Sequence, residues 1–457
     1  MEKRRKQLLT PPLMVAMLLF VSFSAIFEGY CTAANQQHTR KQGIKSKAAD
    51  GLRSTVVFPL SGNVYPKGYY HVTLDIGNPP KPYFLDIDSG SDLTWLQCDA
   101  PCTKCMPAPH ALYKPNKDLV TCQDPLCVTL QWPEDKSCDS PNEQCDYWVV
   151  YADQGSSIGV LLKDHFSLRF TNGSVIEPRL IFGCGYDQEV PESIPPPFTD
   201  GVLGLADGKS SIVSQLHDLG LTRNVLGHCL SRKGGFLFFG DDLIPSSGVV
   251  WMPTSNSLDK HYLLGPAELL YGRKRTGIKD LSVIFDSGST YSYFNSNAYE
   301  ATLSMIKQDL KGKQLKEAED PSLPVCWTDA KGFKSIDDVK KYFKPMVLSF
   351  TKTKNSPLQL PPETYLIISD RGNVCLGILN GTEVGLKDLN IIGDISMQDK
   401  MVIYDNEKQQ IGWVAANCDR LPNVDRDFIH GFCQLYASNT GSSHELCPQT
   451  HGFVEDL

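Results

Sequence analysis

Residues 85–91 read Leu-Asp-Ile-Asp-Ser-Gly-Ser, and residues 283–289 read Val-Ile-Phe-Asp-Ser-Gly-Ser. Both stretches lead apolar residues into Asp-Ser-Gly-Ser, and average residue usage makes two chance copies in one chain improbable. A second pair of motifs follows at similar distances. Gly204 of a Val-Leu-Gly triplet lies 116 residues after Asp88, and Gly393 of an Ile-Ile-Gly triplet lies 107 residues after Asp286. These matched spacings indicate a duplicated chain with two related lobes.

Outside these motifs the chain reads mainly as short strands. Residues 71–76 alternate in polarity before a Gly-Asn-Pro-Pro turn, and residues 235–240 and 401–404 are short apolar runs. Few helices are predicted: one over 212–219, capped by a serine at 210 or 211, and one that begins at residue 295 or 296 and ends near residue 312. Many short strands with few helices predict a mainly β fold built from two β-barrel or sandwich lobes.

The chain divides into five predicted segments. Residues 1–33 combine a basic start with an apolar run over 13–27, which is typical of a secretory signal peptide. An uncleaved signal anchor is the alternative, although the run is short for a membrane span. Residues 34–54 are a short basic leader, interpreted either as a propeptide or as a disordered linker. Residues 55–250 form the N-terminal lobe with a cysteine-rich insertion at 98–145, residues 251–418 form the C-terminal lobe, and residues 419–457 form an extension.

Cysteine content and charge fit an exported protein. The chain has 15 cysteines, and removal of a signal peptide that contains Cys31 would leave 14, a number that can pair completely in an oxidising compartment. Asn172 and Asn380 each begin a glycosylation sequon. The formal net charge is −8, which argues against nucleic acid as a partner. We therefore expect entry into the secretory pathway, with secretion to the extracellular space or cell wall, or delivery to a vacuole.

The repeated aspartates predict acid–base chemistry. Two facing carboxylates hold one proton between them at acidic pH, so one can activate a water molecule while the other polarises a carbonyl group. Asp88 and Asp286 are the predicted catalytic pair. The flanking small residues are expected to shape and brace the two turns: Ser89, Gly90, Ser91, Ser287, Gly288 and Ser289.

With these motifs the chain resembles the pepsin-like aspartic proteases, and within them the plant nucellin and nepenthesin-like branch. The resemblance extends from about residue 69 to residue 418. It implies a bilobal fold in which two β-barrel-like lobes, related by a pseudo-two-fold axis, enclose a central cleft. It also implies that Trp95 lies near a flap, that Tyr151 closes over the substrate, and that Cys326 pairs with Cys375. The expected partners are peptide or protein substrates, the expected state is a monomer without a metal or other cofactor, and no stable membrane insertion is expected once the signal is cleaved.

Two departures from the family pattern stand out. The flap reads Tyr-Ala-Asp-Gln-Gly over 151–155, whereas pepsin has Tyr-Gly-Thr-Gly-Ser, and the added carboxylate of Asp153 could shift the acid limb of activity. The extension at 419–457 brings Cys433 and Cys447 past the usual end of the family.

Other classes of function are less well supported. The spacing of the cysteines at 98, 102 and 105 could suggest zinc, but disulfides are favoured in an exported chain. A glycosidase also uses two carboxylates, yet it would explain neither the duplicated turns nor the flap. The main alternative to an aspartic endopeptidase is an inactive relative that acts as a binding or inhibitor protein. Such relatives usually lose an aspartate or the small residues next to it. This chain keeps both aspartates and the Ser-Gly-Ser that follows each of them.

Overall fold

The computed structural model describes residues 54–130, 140, 142–190, 197–255, 260–351 and 357–421. The predicted signal peptide, almost all of the basic leader and most of the extension, with Cys433 and Cys447, lie outside the described residues.

Strands dominate the described residues. In chain order they are β1 Val56–Asn63, β2 Tyr69–Ile76, β3 Lys81–Asp88, β4 Trp95–Gln97, β5 Asp146–Val150, β6 Ser156–Arg169, β7 Val175–Ile176, β8 Arg179–Glu189, β9 Gly201–Gly204, β10 Val225–Ser231, β11 Gly234–Phe239, β12 Val250–Pro253, β13 Leu263–Tyr271, β14 Lys274–Arg275, β15 Leu281–Phe285, β16 Ser292–Phe294, β17 Lys316–Ala318, β18 Cys326–Thr328, β19 Met346–Phe350, β20 Pro357–Leu360, β21 Leu366–Ile368, β22 Val374–Leu376, β23 Ile378–Asn380, β24 Ile391–Ile392, β25 Lys400–Asp405 and β26 Gln410–Ala415.

The helices of the described ranges are short. They are α1 Pro125–Leu130, α2 Ile212–Asp218, α3 Ser296–Leu310, α4 Ile336–Val339 and α5 Asp394–Met397, with single 3-10 turns at Lys340–Tyr342 and Pro362–Thr364. None of these helices has both the length and the apolar composition needed to span a membrane.

Both helices predicted from the sequence are present. The Ser211 side chain accepts a hydrogen bond from the Val213 N–H and caps α2, while Gly220 follows the helix with φ of +71°. The Asn295 side chain accepts from the Ala298 N–H at 3.0 Å and caps α3. Each cap satisfies one of the backbone donors that the first helical turn leaves unpaired.

The predicted duplication is visible in the strand pairing. β3 runs parallel to β9, and β15 runs parallel to β24. In turn, β9 pairs antiparallel with β4, and β24 pairs antiparallel with β16. Each Asp-Ser-Gly-Ser turn therefore follows a strand in the same local topology, with the Val-Leu-Gly or Ile-Ile-Gly strand beside it. These equivalent pairings confirm the mainly β, bilobal fold.

Buried strands carry the two turns. In β3, Leu85 and Ile87 have no exposed surface, and in β15 the same is true of Val283 and Phe285. Burial of apolar side chains is the main contribution to the stability of such strands. The residues next to Asp88 and Asp286 are thus anchored in the core, which holds both turns firmly.

One sheet crosses the predicted lobe boundary. Fourteen strands form it, and β10 from the first lobe pairs antiparallel with β25 from the second. A disulfide between Cys229 and Cys418 links the same two parts of the chain. An eight-stranded and a four-stranded sheet complete the second lobe. The exact limits at 250/251 and 418/419 stay predictions.

Disulfides lie within each lobe and also join the two lobes. The pairs in the described ranges are Cys98–Cys184, Cys102–Cys105, Cys127–Cys145, Cys229–Cys418 and Cys326–Cys375. Cys98 bonds to β8 outside the cysteine-rich segment and anchors the beginning of that segment to the sheet. The three thiols whose spacing suggested zinc are all engaged in disulfides.

Candidate active site

The two repeated turns contact each other directly. In each turn the glycine N–H donates to the preceding aspartate: Gly90 N to Asp88 Oδ1 at 2.8 Å, and Gly288 N to Asp286 Oδ1 at 2.9 Å. These bonds fix the orientation of both carboxylates relative to their own backbone.

The serines after the aspartates lock the turns together. The Ser89 N–H donates to Ser287 Oγ at 3.0 Å, and the Ser287 N–H donates to Ser89 Oγ at 2.9 Å. The hydroxyls continue the exchange, since Ser89 Oγ donates to the Phe285 carbonyl at 3.1 Å and Ser287 Oγ donates to the Ile87 carbonyl at 3.0 Å. Both serines are buried. The lock is symmetric and ties each turn to the strand that leads into the other.

The second serine of each turn bonds to the outer oxygen, Oδ2, of the aspartate in the same turn. Ser91 Oγ donates to Asp88 Oδ2, and Ser289 Oγ donates to Asp286 Oδ2 at 2.7 Å. The inner oxygen, Oδ1, of each aspartate lies so close to the glycine of the opposite turn that the glycine has no room for a Cβ atom. A Cβ on Gly90 would lie 2.7 Å from Asp286 Oδ1, and one on Gly288 would lie 2.5 Å from Asp88 Oδ1. Glycine is therefore required at both positions for a steric reason, beyond any need for backbone freedom.

The surroundings of Asp88 favour its protonated form. Burial raises the pKa of Asp88 above its usual range, and the nearby negative charge of Asp286 raises it further. Hydrogen bonds from Ser91 and Gly90 act in the opposite direction because they stabilise the ionised form. The net effect raises the pKa of Asp88, so its carboxyl group holds a proton more readily than a free aspartic acid does.

Two further carboxyl groups lie beside the pair. Asp86 is buried, and its Oδ1 has no hydrogen-bond partner among the described residues. The β3 alternation puts Asp86 on the same face as Asp88, and that face is covered. Asp394, at the start of α5, is also buried, and neither of its carboxylate oxygens has a partner in the described ranges.

Burial is the largest cause of a raised pKa for both groups, and nearby carboxylates add to it. Burial raises the pKa of Asp86 well above its usual range, and the charges of Asp88 and Asp286 add to the effect. Burial likewise raises the pKa of Asp394, with Asp86 as the largest charged contributor. The sequence contained Asp394 within its Ile-Ile-Gly-Asp motif, but nothing in the pattern marked it as an unpaired buried acid.

The predicted flap is a hairpin made by β5 and β6. At its tip the Tyr151 N–H donates to the Gly155 carbonyl at 2.8 Å, and Gln154 takes a positive φ of 73°. Trp95 Nε1 donates to the Tyr151 hydroxyl at 2.6 Å. Burial raises the pKa of Tyr151, followed by the negative charge of Asp88. The predicted tryptophan and tyrosine are therefore in contact, and the tyrosine hydroxyl lies near the first aspartate.

The two predicted glycosylation sites differ in exposure. Asn172 lies in an exposed turn, where its side-chain oxygen accepts from Ser174. Asn380 is buried, and its amide nitrogen donates to Glu383 Oε1 at 2.9 Å. A glycan on Asn380 would need that nitrogen released, so Asn172 is the more accessible of the two; both sites stay predictions.

Comparison with known proteins places this site in a family. Residues 70–241 match the family model described as xylanase inhibitor N-terminal, and residues 266–415 match the one described as xylanase inhibitor C-terminal. An aspartic proteinase of Oryza sativa subsp. japonica is 49% identical over 384 residues, which cover 81% of this chain and 92% of the Oryza protein. The chain belongs to the pepsin-like aspartic proteinases of plants.

More distant proteinases and structures agree with this assignment. Aspartic proteinase nepenthesin-1 of Nepenthes gracilis is 26% identical over 378 residues, covering 77% of this chain and 78% of nepenthesin-1. The crystal structure of basic 7S globulin from soybean superposes with a TM-score of 0.63 at 16% identity, covering 80% of this chain and 96% of the globulin. The globulin shows a shared fold, while the proteinases support the family.

Proposed function

We propose that this chain is an aspartic endopeptidase that hydrolyses peptide bonds at acidic pH with a water molecule activated between Asp88 and Asp286. The observation that carries the proposal is the reciprocal lock between Ser89 and Ser287, which holds two carboxylates with their inner oxygens turned toward the opposite turn. Family membership alone would not suffice, because a fold can be shared by proteins of different function.

The reaction needs one ionised and one neutral carboxyl group. The ionised group takes a proton from the water, whose oxygen attacks the carbonyl carbon of the peptide bond, while the neutral group donates its proton to the carbonyl oxygen. The result is a tetrahedral intermediate with two hydroxyl groups, and the two carboxyl groups have exchanged their protonation states.

Breakdown of the intermediate reverses that exchange. The carboxyl group that received the water's proton passes it to the amide nitrogen, the other carboxylate takes a proton from one hydroxyl of the intermediate, and the C–N bond breaks. A carboxylic acid and an amine leave, and the pair again holds one proton. The hydrogen bonds from Gly90, Gly288, Ser91 and Ser289 keep both groups in place during these transfers.

The flap supports substrate closure. Tyr151 is positioned by the Trp95 Nε1 hydrogen bond and lies close enough to Asp88 to be affected by its charge. We infer that the β5–β6 hairpin closes over an extended peptide and excludes bulk water from the pair. Peptides and proteins are the substrates, without a cofactor, and the enzyme acts as a monomer.

The setting is the secretory pathway. The predicted signal peptide, the disulfides of the described ranges and the exposed sequon at Asn172 support export, followed by secretion or vacuolar delivery. The basic leader would act as a propeptide that is released when acidic groups protonate.

An inactive binding or inhibitor protein is the second candidate. The matched family models are described as xylanase inhibitor domains, and a globulin shares the fold. Two assays separate the candidates: cleavage of a denatured protein at acidic pH with and without pepstatin, and inhibition of a xylanase by the same preparation. Acid cleavage blocked by pepstatin, with no xylanase inhibition, supports the endopeptidase. Xylanase inhibition without cleavage, even after acid treatment, supports the binding protein.

A further inference from the structure

One disulfide of the described ranges is accessible to solvent. Cys102 and Cys105 are half-buried, and they close a short Cys-Thr-Lys-Cys loop. Every other disulfide-bonded cysteine in the described ranges is buried: Cys98, Cys122, Cys127, Cys145, Cys184, Cys229, Cys326, Cys375 and Cys418. Thiol–disulfide exchange requires that a thiolate reach one of the two sulfurs, so accessibility favours the Cys102–Cys105 bond for reduction.

The same bond contributes little to the stability of the fold. A cross-link stabilises a protein mainly by restricting the unfolded chain, and it does so less when the loop that it closes is short. Cys102 and Cys105 are three positions apart, whereas Cys229 and Cys418 are 189 positions apart. We therefore expect the fold to survive reduction of the Cys102–Cys105 bond. Exposed disulfides of this kind are in general the labile or regulatory ones.

The loop at 102–105 is hydrogen bonded to the end of β8. The Thr103 N–H and hydroxyl both donate to the Tyr186 carbonyl, at 2.8 and 2.9 Å. The Gln188 N–H donates to the Lys104 carbonyl at 2.9 Å, and Lys104 Nζ lies 2.8 Å from Glu189 Oε1. Because that ion pair is exposed, the three hydrogen bonds contribute most of the contact. The loop thus covers one edge of β8, beyond the part that pairs with β4.

The other edge of β8 pairs with the flap. Gln188 of β8 lies opposite Ser157, near the start of β6. The Ser157 hydroxyl is in turn hydrogen bonded to the Tyr147 hydroxyl of β5 at 2.9 Å. Since β5 and β6 form the flap hairpin, a continuous set of hydrogen bonds connects the loop at 102–105 to both flap strands.

We propose that the Cys102–Cys105 bond is a redox-active disulfide, reduced by an external dithiol, and that its reduction loosens the end of β8 and the flap. One thiolate of the dithiol attacks a sulfur of the bond, and the other cysteine leaves as a thiolate that takes up a proton. The second thiol of the dithiol then attacks the mixed disulfide and releases the first cysteine. Two electrons and two protons have passed to the protein, and the dithiol has become a disulfide. The regulatory role rests on the proposed endopeptidase function, because the flap closes over the substrate.

The first test identifies the cysteines that react. The folded full chain is incubated near about pH 7 with increasing concentrations of dithiothreitol, free thiols are blocked with iodoacetamide, and labelled residues are identified by peptide mass spectrometry. We expect Cys102 and Cys105 to be labelled at a concentration at least about 10-fold lower than any buried pair of the described ranges, with an unchanged far-UV circular dichroism spectrum. Earlier labelling of a buried pair, or loss of the fold together with the first labelling, overturns the inference.

The second test measures the flap. Hydrogen exchange of residues 146–160 and 185–189 is compared between the oxidised protein and the reduced, alkylated protein. We expect exchange to become roughly 3- to 10-fold faster after reduction and kcat/KM to fall by a similar factor, as when one or two hydrogen bonds weaken. Unchanged exchange and unchanged kcat/KM after selective reduction overturn the inference.

A double variant controls for reduction elsewhere and for the alkyl groups. Cys102→Ser with Cys105→Ser lacks the bond but keeps the other disulfides, so it should show the fast exchange and the lower kcat/KM without any reductant. Low dithiothreitol should then change neither quantity further. A double variant that behaves like the oxidised wild type contradicts the inference.

Labelling and hydrogen exchange do not require cleavage, which separates this inference from the proposed function. Selective reduction with faster exchange in the flap, in a protein that cleaves no peptide, would support the switch and refute the enzyme. Peptide cleavage that selective reduction leaves unchanged, with unchanged exchange, would support the enzyme and refute the switch.

Discussion

Ser89 and Ser287 exchange backbone-to-hydroxyl hydrogen bonds of 3.0 and 2.9 Å across the two halves of the molecule. Each hydroxyl also donates to the carbonyl just before the opposite aspartate. Four hydrogen bonds therefore connect two turns that are far apart in the chain. This lock fixes the position of one turn relative to the other, and the bonds within each turn orient its own carboxylate.

Ser89→Ala should reduce both stability and activity. The change leaves the Ser287 N–H and the Phe285 carbonyl without a partner in a buried site, at a cost of about 2 to 5 kcal/mol in the free energy of unfolding. We expect a large fall in kcat as well, because the two carboxylates lose their fixed separation. Urea unfolding and peptide cleavage measure the two effects.

Ser91→Ala provides the matched comparison. Ser91 bonds to the outer oxygen of Asp88 and takes no part in the lock. The Ser91→Ala substitution should leave the free energy of unfolding nearly unchanged. It should raise the pKa of Asp88, because the hydrogen bond from Ser91 lowers that pKa, and the acid limb of the pH profile should therefore move to higher pH. Equal stability losses in the Ser89 and Ser91 variants would contradict the account.

Gly90→Ala should abolish catalysis. The new methyl carbon would lie 2.7 Å from Asp286 Oδ1, so one carboxylate must move. We expect a loss of kcat of at least about 100-fold, as is usual when a catalytic group is misplaced by an ångström. Gly381→Ala is the control, because a methyl group there meets its neighbours at 3.4 Å. A Gly90→Ala enzyme with normal kcat would show that the inner oxygens are not confined as described.

Tyr151→Phe tests the flap hydrogen bond. The change leaves Trp95 Nε1 without its partner, and we expect kcat/KM to fall about 10-fold with little change in the midpoint of urea unfolding. Trp95→Phe should have a similar effect, and the double variant should be no worse than either single one. Additive losses in this double-mutant cycle would indicate two independent roles and contradict a functional link through the bond.

The buried acids predict how stability depends on pH. Asp86 and Asp394 have folded-state pKa values raised above 3.8, so they stay protonated in the fold while the unfolded chain ionises. Each destabilises the fold by up to about 1.4 kcal/mol per pH unit as the pH rises from near 4 toward the folded-state pKa. For each of the variants Asp86→Asn and Asp394→Asn, we therefore expect the free energy of unfolding, relative to that of the wild type, to be higher at pH 7 than at pH 3.

Asp320→Asn serves as the opposite control. Burial acts to raise the pKa of Asp320, but hydrogen bonds from Ser369, Ser322 and Asn373 lower it to about 2. Its stabilising effect is present above the unfolded pKa and is lost as the pH falls toward 2. Compared with the wild type, the Asp320→Asn variant should have a lower free energy of unfolding at pH 7, and this difference should become smaller near pH 2. Urea midpoints that show the same pH trend for the Asp86 and Asp320 variants would refute the assignment.

Much of the site could be predicted because it depends on local motifs. The repeated Asp-Ser-Gly-Ser turns specify both aspartates, and spacing with a family resemblance led to Trp95 and Tyr151. Helix caps at Ser211 and Asn295 follow from side chains that bond within a few residues. Such features are encoded by neighbours along the chain.

The remaining features depend on contacts distant in sequence. The alternation of β3 places Asp86 on the same face as Asp88, but alternation alone does not show that this face is covered in the folded chain. The bond of Cys98 to Cys184 joins positions 86 residues apart, and no spacing rule gives such a pairing. The reciprocal serine lock likewise requires both lobes to be in place.

The most direct test of the central claim is the pH dependence of peptide cleavage, from about pH 3 to 7, by the wild type and Asp88→Asn. Asp75→Asn, at a half-buried site on β2, is the control for loss of an acid elsewhere. The account predicts acid-peaked cleavage by the wild type and the control, and none by Asp88→Asn in its folded form. Equal cleavage by the folded Asp88→Asn variant would contradict the role of the aspartate pair.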